Sequence, residues 1–472
     1  MLFQRFFRAL FRQEILLFQL LCLALVLRFY VVVVQGPSLE LASDDIMYRR
    51  SAGILVAYHR FTTFDPDRSS AYVMPGYPLF LSIFYILPDF LPRELLIRIA
   101  QGLLSVLQLF FIGAIARRLE LGYWGLLALG VAALYPPLVA LPGYFLTESL
   151  FGLLVTAAVY CSLDFFNRPI LSTTPSGRRT LLWHTCLLGL LCGFTALVRP
   201  TILPLPVLCL GVIFLRSGEG RAKTGFLYRL FERERRRLGF VLLLCFCLPL
   251  LPWWMRNAVV FQQFIPLSSE GGSPLLLGTY PKGLPQGYAP DWPYSKNEME
   301  MNRARTELAW QRIKAGFTRE TGNYLYYYLI RKPYFLWIVP FYPRSVLGIA
   351  GSHLLLFQFA VFVLAVLGAA LLVLSRQGAG VFLTAFLAAY TLEHMVYFSY
   401  GRYGLPLLPL VFLLATLPLQ RSAAALVKFR RMIDLRQPPG GNGNTGTGSY
   451  FSCYCLEVTR IVCCRGYNPR QH

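Results

Sequence analysis

Residues 15–48 read ILLFQLLCLALVLRFYVVVVQGPSLELASDDIMY, an apolar run that ends shortly before two adjacent carboxylates, Asp44 and Asp45. A run of about 20 apolar residues is long enough to cross the roughly 30 Å hydrocarbon core of a bilayer. A carboxylate pair at the lip of a membrane helix costs desolvation free energy, which usually has a chemical reason. The stretch therefore predicts a membrane helix that delivers an acidic pair to one face of the membrane.

The composition extends this prediction to most of the chain. Of the 472 residues, 56% are hydrophobic and 14% are charged, and the mean hydropathy is +0.52. Soluble domains average about 25% charged residues, which excludes an ordinary soluble globule. The net charge of +22 does not indicate nucleic-acid binding, because the basic residues collect in short loops and at the two chain ends. We therefore predict an all-α polytopic membrane protein, with membrane lipids and no nucleic acid as partners.

Hydropathy predicts a bundle of about ten transmembrane helices, with an upper limit of about twelve. The short segment 216–237 holds eight basic residues, against one each at the short turns near Arg199 and Arg402. Because short loops rich in Lys and Arg stay in the cytoplasm, this asymmetry predicts that both chain ends are cytoplasmic. The predicted spans are residues 14–34, 94–116, 122–141, 148–166, 182–198, 201–216, 238–255, 352–374, 379–398 and 404–420.

Two long segments, 35–93 and 257–343, are predicted to lie on the outer face of the membrane. The first contains a short apolar stretch, Tyr77–Leu87, which we interpret as an interfacial helix because it is short for a span. The second is rich in Pro, Gly, Tyr and Trp at first and becomes helical and polar from Asn297 to Thr318. The two outer segments are therefore the places where polar chemistry is expected.

The predicted spans delimit a membrane domain of residues 1–420. Residues 421–472 are basic, Gly-rich and Cys-rich, and we expect them to form a disordered cytoplasmic tail. The cysteines of this tail have the spacing C-x-C-x₇-C-C, which matches no familiar zinc site. The other cysteines lie within or beside apolar spans, where cysteine acts as a small hydrophobe.

Carboxylates and cations converge on the predicted outer face. A reaction in which an acceptor hydroxyl displaces a phosphate needs a base for the hydroxyl and cations for the phosphate. Arginine suits phosphate, being always charged and able to bind two oxygens at once. The candidates at this face are Asp44, Asp45, His59, Arg60, Glu148, Arg199, Arg256, Lys332, Arg402 and Tyr403.

Most of these candidates also have a structural interpretation, which stays open on sequence grounds. The pair Asp44–Asp45 is suited to cap an interfacial helix that begins near Ile46. Glu148 would complement the helix dipole if it lies in a first turn. A lone Arg199 or Arg402 at the membrane surface is commonly a snorkelling residue, whose stem covers apolar surface.

The motifs at these positions, taken in order, resemble the GT-C superfamily of polyprenyl-phosphate-sugar-dependent glycosyltransferases. The most similar branch holds the protein O-mannosyltransferases and the lipid A aminoarabinose transferases, and the resemblance covers residues 15–420. The matching pieces are Asp44-Asp45-x-x-Tyr48-x-x-x-Ala52, Pro75-Gly76-Tyr77-Pro78-Leu79-Phe80-Leu81, Thr147-Glu148, Leu197-Val198-Arg199-Pro200, Leu251-Pro252-Trp253-Trp254-Met255-Arg256-Asn257, Ser269-Glu270-Gly271-Gly272 and Gly401-Arg402-Tyr403-Gly404-Leu405-Pro406.

The resemblance implies a GT-C-type helix bundle whose periplasmic loops carry the active site. In this family the acid of the first outer loop is the catalytic base, and Asp44 occupies that position. The family often has Asp-Glu there, so Asp45 would orient other groups or bind metal, and Glu148 would be the second acid. The resemblance further implies that the donor phosphate is bound by Arg402, Arg256, Arg199, Tyr403 and Lys332, and that the substrate loop contains Tyr48, Pro75 and Tyr77.

The implied reaction is a single inverting displacement at the sugar C1, from a polyprenyl-phosphate sugar to a lipid, glycan or protein acceptor. The donor's lipid tail would lie in a groove between helices, and the two outer loops would recognise the acceptor. No cofactor is implied with certainty, and the question of a divalent metal stays open. The bacterial inner membrane is the expected location, with the endoplasmic reticulum as the alternative.

Two other functions stay open. A transporter or flippase of lipid-linked sugars would show paired internal repeats and ionisable residues near the middle of its spans. Here the polar residues gather at one face and no repeat is evident, which favours the enzyme. The other alternative is a non-catalytic scaffold of a membrane complex, derived from the same family.

Overall fold

The structure, a computed structural model, describes residues 2–63, 65–170, 174–216, 232–281 and 292–434, with the backbone alone for 2–11 and 431–434. Within these ranges every regular element is a helix, which confirms the predicted all-α class. Most of the predicted tail, with its cysteines, lies outside the described residues. The cysteines within or beside the spans are free thiols.

The helices are numbered in chain order. Short 3₁₀ turns join several of them, including Leu405–Leu407 between the last two. They are α1 (Leu2–Tyr30), α2 (Asp44–Tyr58), α3 (Gly76–Tyr85), α4 (Arg93–Arg118), α5 (Tyr123–Leu134), α6 (Pro136–Ala140), α7 (Glu148–Phe166), α8 (Pro175–Val198), α9 (Pro204–Leu215), α10 (Arg233–Cys247), α11 (Leu251–Phe261), α12 (Gly272–Leu277), α13 (Glu298–Arg319), α14 (Thr321–Tyr326), α15 (Lys332–Trp337), α16 (Ser352–Leu374), α17 (Gly378–Val396), α18 (Gly401–Gly404) and α19 (Leu408–Asp434).

The chain is an integral membrane protein. Among the described residues, eight helical segments are long and apolar enough to cross a membrane, or nine if one bent pair is a single span. The bent pair, Tyr123–Leu134 and Pro136–Gly143, coincides with the predicted span 122–141, and its two parts differ in direction by 58°. The predicted span 201–216 is the shorter apolar helix Pro200–Leu215. The other predicted spans match the eight long segments.

The bend after α5 is caused by two prolines and is stabilised by an arginine of α1. Pro136 and Pro137 lack the N–H groups that would bond the carbonyls of Ala132 and Ala133 in a continuous helix. The guanidinium of Arg28 in α1 replaces them, because its Nη1 lies 3.1 Å from the Ala133 oxygen and its Nη2 lies 3.4 Å from the Ala132 oxygen. The break between α5 and α6 therefore explains why the first membrane helix contains a charged residue.

The other contacts of Arg28 are also to neutral groups. Its Nε donates to the Ser105 hydroxyl at 2.8 Å, and its Nη1 donates to the Ala24 carbonyl at 3.2 Å. The side chain is fully buried. Buried charges persist only where hydrogen bonds compensate the lost hydration. Arg28 therefore ties α1 to α4 and α5 as part of the architecture.

The first outer segment folds into two short helices that pack against each other. α2 begins at Asp44, close to the predicted start near Ile46, and α3 is a 10-residue apolar helix, in agreement with the interfacial interpretation of that stretch. Asp45 folds back on the preceding backbone, where its Oδ1 accepts from the Ser43 N–H at 2.6 Å and its Oδ2 from the Leu41 N–H at 3.1 Å. Asp45 therefore anchors the segment that precedes α2, and the N-terminal cap of this helix, Ser43, makes no side-chain capping hydrogen bond.

The second outer segment contains α12 to α15. α13 begins where predicted, because the Asn297 side chain accepts a hydrogen bond from the Met299 N–H at 3.0 Å and caps the first turn. Residues 282–291, which include most of the predicted Pro- and Gly-rich stretch, lie outside the described residues. At the other end of the domain, α19 continues to Asp434, beyond the predicted end of the last span at residue 420.

Packing of the long helices brings the candidate residues to one side of the bundle. α7 packs against both α4 and α8, and α19 packs along α5 and α16. The start of α2, the start of α7, the end of α8 and the turn α18 consequently meet. These are the helix ends that carry the predicted acids and arginines.

Candidate active site

Arg402 joins two carboxylates that are distant in the chain. Its Nε lies 2.5 Å from Oε1 of Glu148, and its Nη1 lies 2.6 Å from Oδ2 of Asp44. Only 9% of the Arg402 side chain is exposed. Charge-assisted hydrogen bonds of this length are about twice as strong as neutral ones. The structure thus brings the predicted base, the predicted second acid and the predicted phosphate ligand into one cluster.

Glu148, the first residue of α7, is fully buried and compensated by two cations. Besides Arg402, the Nη1 of Arg199 at the end of α8 lies 3.2 Å from the Glu148 Oε1. A buried carboxylate that loses its partners destabilises a fold by about 3–5 kcal/mol, which indicates how firmly such pairing is held. Glu148 therefore sets the relative position of the two arginines. Its first-turn placement also satisfies the dipole interpretation.

Tyrosine rings enclose the cluster. The guanidinium carbon of Arg199 lies 4.8 Å from the ring centroid of Tyr403. Tyr48 and Tyr77 meet edge to face, with ring centroids 5.1 Å apart, and the Tyr77 hydroxyl donates to Oε1 of Gln101 at 2.8 Å. Burial raises the pKa of both Tyr48 and Tyr77, so that their hydroxyls stay protonated at neutral pH. These predicted substrate-loop and donor residues thus lie around the charges.

The two adjacent aspartates have different environments. The Asp44 side chain is 49% exposed, and its Oδ1 has no hydrogen-bond partner among the described residues, while Oδ2 is held by Arg402. Asp45 is 1% exposed, and both of its oxygens accept backbone N–H groups. Burial alone would raise the pKa of Asp45, but the hydrogen bonds from Ser43 and Leu41 lower it overall. Asp44 is therefore the carboxylate that has an oxygen free for a substrate.

Two predicted phosphate ligands, Arg256 and Lys332, do not join the cluster. Arg256 donates to the backbone carbonyls of Ser70 and Phe61, each at 2.9 Å. Lys332 donates to three backbone carbonyls at the end of α17. Their hydrogen bonds go to the protein itself, which does not support the phosphate-binding role implied by the resemblance. Pro75 is the residue immediately before α3, in the N-terminal cap position of that helix.

Glu270 faces the cluster, although its position carries no predicted role. The loop that holds it, between α11 and α12, is tied to the first outer segment by a hydrogen bond of 2.8 Å from the Ser269 N–H to the Ala71 carbonyl. Burial, followed by the nearby carboxylate of Asp44, raises the pKa of Glu270 to about 7. The only sequence signal was the motif 269–272, whose pattern does not show what its acid faces.

The cluster does not fit a divalent metal. The resemblance leaves a possible metal role to Asp45, whose two oxygens already accept backbone N–H groups, and Arg402 bridges the other two acids, Asp44 and Glu148. Within the described ranges, no three His, Cys, Asp or Glu side chains are placed to share an ion. A guanidinium, rather than a metal ion, is thus the cation that this arrangement provides between the acids.

Comparison with known proteins supports the fold. No protein-family model matches the sequence, and no curated protein sequence is significantly similar to it. The structure is similar to the archaeal oligosaccharyltransferase AglB from Archaeoglobus fulgidus in complex with an inhibitory peptide and a dolichol-phosphate (TM-score 0.52, 12% identity, 95% of this chain and 54% of that chain covered). For the apo form of the A. fulgidus oligosaccharyltransferase, the TM-score is 0.54 at 13% identity, with 94% and 54% covered.

ArnT from Cupriavidus metallidurans bound to undecaprenyl phosphate aligns over 89% of this chain and 80% of that chain, at 16% identity and a TM-score of 0.37. The chain spans about half the length of the archaeal oligosaccharyltransferase. At 12–13% identity, the likeness to that enzyme concerns the fold. The predicted GT-C fold is thereby confirmed.

Proposed function

We propose that this chain is an inverting membrane glycosyltransferase, which moves a sugar from a polyprenyl-phosphate donor to a hydroxyl on a lipid, glycan or protein. The observation that supports this best is the cluster of Asp44, Arg402, Glu148 and Arg199 at one face of a GT-C bundle. The cluster combines an open carboxylate oxygen with two guanidinium groups. Those are the groups that a displacement of phosphate by a hydroxyl needs.

Asp44 is the general base in this proposal. Its free Oδ1 takes the proton of the acceptor hydroxyl, while the hydrogen bond from Arg402 to Oδ2 fixes the plane of the carboxylate. The acceptor oxygen forms a bond to the sugar C1 as the bond from C1 to the phosphate oxygen breaks. Because the attack comes from the side opposite the leaving phosphate, the configuration at C1 inverts. The proton ends on Asp44 and the electron pair on the phosphate.

Charge balance explains why Arg402 touches the base. Before reaction the two arginines are neutralised by the two carboxylates, so the cluster carries no net charge. When Asp44 accepts the proton, its pairing with Arg402 weakens and the cluster gains one positive charge. At that moment negative charge develops on the leaving phosphate, beside the same guanidinium. Stabilisation that appears only in the transition state is the kind that raises the rate.

Glu148 acts in this scheme through the arginines. It is buried behind them and binds both, so it holds Arg402 and Arg199 at a fixed spacing for the phosphate. Preorganised cations need no rearrangement during the reaction, which is the main source of electrostatic catalysis. We therefore regard Glu148 as a positioning residue.

The charge asymmetry of the short loops supports an active site at the outer face, with both chain ends in the cytoplasm. In this orientation the donor's lipid tail stays among the helices while its phosphate reaches the cluster. The dolichol-phosphate of the archaeal oligosaccharyltransferase complex supports a lipid-phosphate donor of the same class. The bacterial inner membrane is the location that we propose.

The test is a transfer assay in membranes with a panel of radiolabelled polyprenyl-phosphate sugars. It compares the wild type with Asp44→Asn and with the matched control Asp89→Asn, whose side chain is 96% exposed. Asp44→Asn removes the base and is expected to lower transfer by about 100- to 10,000-fold. The control is expected to transfer normally.

Label that enters a new lipid, glycan or protein fraction with the wild type and the control only would support the proposal and identify the donor. Donor that crosses the bilayer equally well with all three proteins, without transfer, would indicate a flippase instead. Donor that is bound but neither moved nor transferred would indicate a scaffold.

A further inference from the structure

Lys332, the first residue of α15, is buried against the end of the membrane helix α17. It is 1% exposed, and its Nζ donates to the carbonyls of Met395 at 2.7 Å, Tyr397 at 2.8 Å and Val396 at 3.3 Å. The ring centroid of Tyr328 lies 3.7 Å from the same nitrogen. The last carbonyls of a helix have no partners within the helix, and a cation there is favoured by the helix dipole. Lys332 thus closes the end of α17.

The segment that Lys332 fixes leads directly into the turn of Arg402. α17 ends at Val396, and the chain reaches Arg402 within the next six residues. On the same side, the Trp337 Nε1 of α15 donates to the Thr391 hydroxyl at 2.9 Å. The end of α17 is therefore held against α15 by hydrogen bonds from two side chains, the Lys332 amine and the Trp337 indole.

The backbone of α15 and of the residues after it also packs closely against the turn that carries Arg402. A Cβ atom placed on Gly401 would overlap the carbonyl oxygen of Val339, and one on Gly404 would overlap that of Leu336. Only glycine permits this close approach of two backbones. The turn is consequently clamped at both ends by the segment that begins with Lys332.

From these contacts we infer that Lys332 is a positioning residue for Arg402: it couples the second outer segment to the guanidinium that bridges the two acids. The inference rests on the proposed function, in which Arg402 stabilises the leaving phosphate. It gives Lys332 an indirect role in place of the direct phosphate contact implied by the resemblance. The second outer segment, expected to contact the acceptor, would thereby influence the geometry of the donor site.

The first test does not depend on activity. Hydrogen exchange of residues 393–404 is measured by mass spectrometry on the wild type, Lys332→Met and the matched control Arg331→Met. Arg331 is adjacent in the chain but donates to the Pro281 carbonyl at 2.6 Å instead of to α17. We expect faster exchange of this peptide in Lys332→Met alone. Unchanged exchange in a folded Lys332→Met protein would overturn the inference. If Lys332→Met does not fold, Lys332→Gln is measured in its place.

The second test is a double-mutant cycle on sugar transfer. A misplaced catalytic group lowers the rate by as much as about 100-fold, so a large fall in kcat is expected for Lys332→Met. In the Arg402→Met background the same substitution should cause no further loss, because there is no guanidinium left to position. Losses that multiply would overturn the inference. Wild-type protein without any transfer would refute the proposed function, while the exchange measurement would still decide the role of Lys332.

Discussion

Arg28 and Arg402 are both buried guanidinium groups of this helix bundle, yet their acceptors differ in charge. Arg28 donates to backbone carbonyls and one hydroxyl, whereas Arg402 donates to the carboxylates of Asp44 and Glu148. Neutral acceptors do not titrate, so the surroundings of Arg28 stay the same during a reaction. A carboxylate that accepts a proton releases its guanidinium. Arg28 is therefore a structural cation, whereas Arg402 is a cation that a reaction can use.

Among substitutions of the two arginines, the largest expected effect is on activity. Arg402→Met should lower kcat/KM for transfer by about 100- to 1,000-fold, because it removes a preorganised donor at the phosphate. Arg28→Met should reduce the amount of folded protein but leave the turnover per folded molecule nearly unchanged. Transfer kinetics, normalised to the folded fraction from size-exclusion chromatography, measure both. Near-normal transfer by Arg402→Met would contradict the proposed mechanism.

The next effect concerns stability. Arg28→Met should lower the free energy of unfolding by about 2–3 kcal/mol, because it leaves buried carbonyls without donors. Adding Pro136→Ala and Pro137→Ala restores the N–H groups that those carbonyls lack, so the loss should shrink in the combined variant. Thermal unfolding in detergent measures both changes. Equal loss with and without the prolines would show that Arg28 acts through another contact.

A smaller effect is expected from pH. The pKa of Glu270 is raised to about 7, so this carboxyl is protonated below pH 7 and ionised above it. Ionisation adds a negative charge beside the donor site, and the affinity for a polyprenyl-phosphate sugar should fall severalfold as pH rises through 7. The donor itself is a phosphodiester whose charge is constant in this range. Binding to wild type and Glu270→Gln between pH 6 and 8 measures this.

The raised pKa of Glu270 also makes the stability of the fold depend on pH. A carboxyl whose folded-state pKa lies above its ordinary value of about 4.3 favours the folded state most at low pH. This contribution to stability is lost as the pH rises from about 4.3 through 7. Glu270→Gln should therefore remove a decline in unfolding temperature over this window. A decline that persists in the variant would assign it to another group.

The smallest expected effect is that of a chelator. Because Arg402 already bridges Asp44 and Glu148, a divalent ion has no vacant position between the two acids. Transfer should therefore be unchanged when EDTA is added to dialysed membranes. Loss of transfer that is restored by one divalent metal would show that the acids exchange their guanidinium for an ion. Arg402 would then not be the cation that the reaction uses.

Several features of the fold and site were predictable from sequence. The long spans follow from hydropathy, and the order of acids and arginines at their ends follows from motifs. Asp44, Glu148, Arg199 and Arg402 were all among the candidates, and the structure brings these four together. Local sequence is sufficient here because a residue at the end of a span must lie at a membrane face.

Other features were not predictable, for a common reason. A motif arginine looks the same whether it meets a carboxylate, as Arg402 does, or a carbonyl, as Arg256 does. Glu270 has no periodicity or charged neighbour that shows it facing Asp44. The bend at Pro136 was visible as a helix break, but its pairing with Arg28 joins residues that are far apart in the chain.

Hydropathy and the order of the motifs were enough to predict a chain that crosses a membrane many times, with acids and arginines at the ends of its spans. These properties depend on the hydropathy and charge of residues that are close together in the chain, so a local stretch of sequence is enough to set them. Contacts between helices, in contrast, set which arginine meets a carboxylate, which meets a carbonyl, and which aspartate of the pair keeps an oxygen without a hydrogen bond. Those outcomes depend on atoms brought within about 3 Å by helices that are separate in the chain, and hydrogen bonding is effective only at that range.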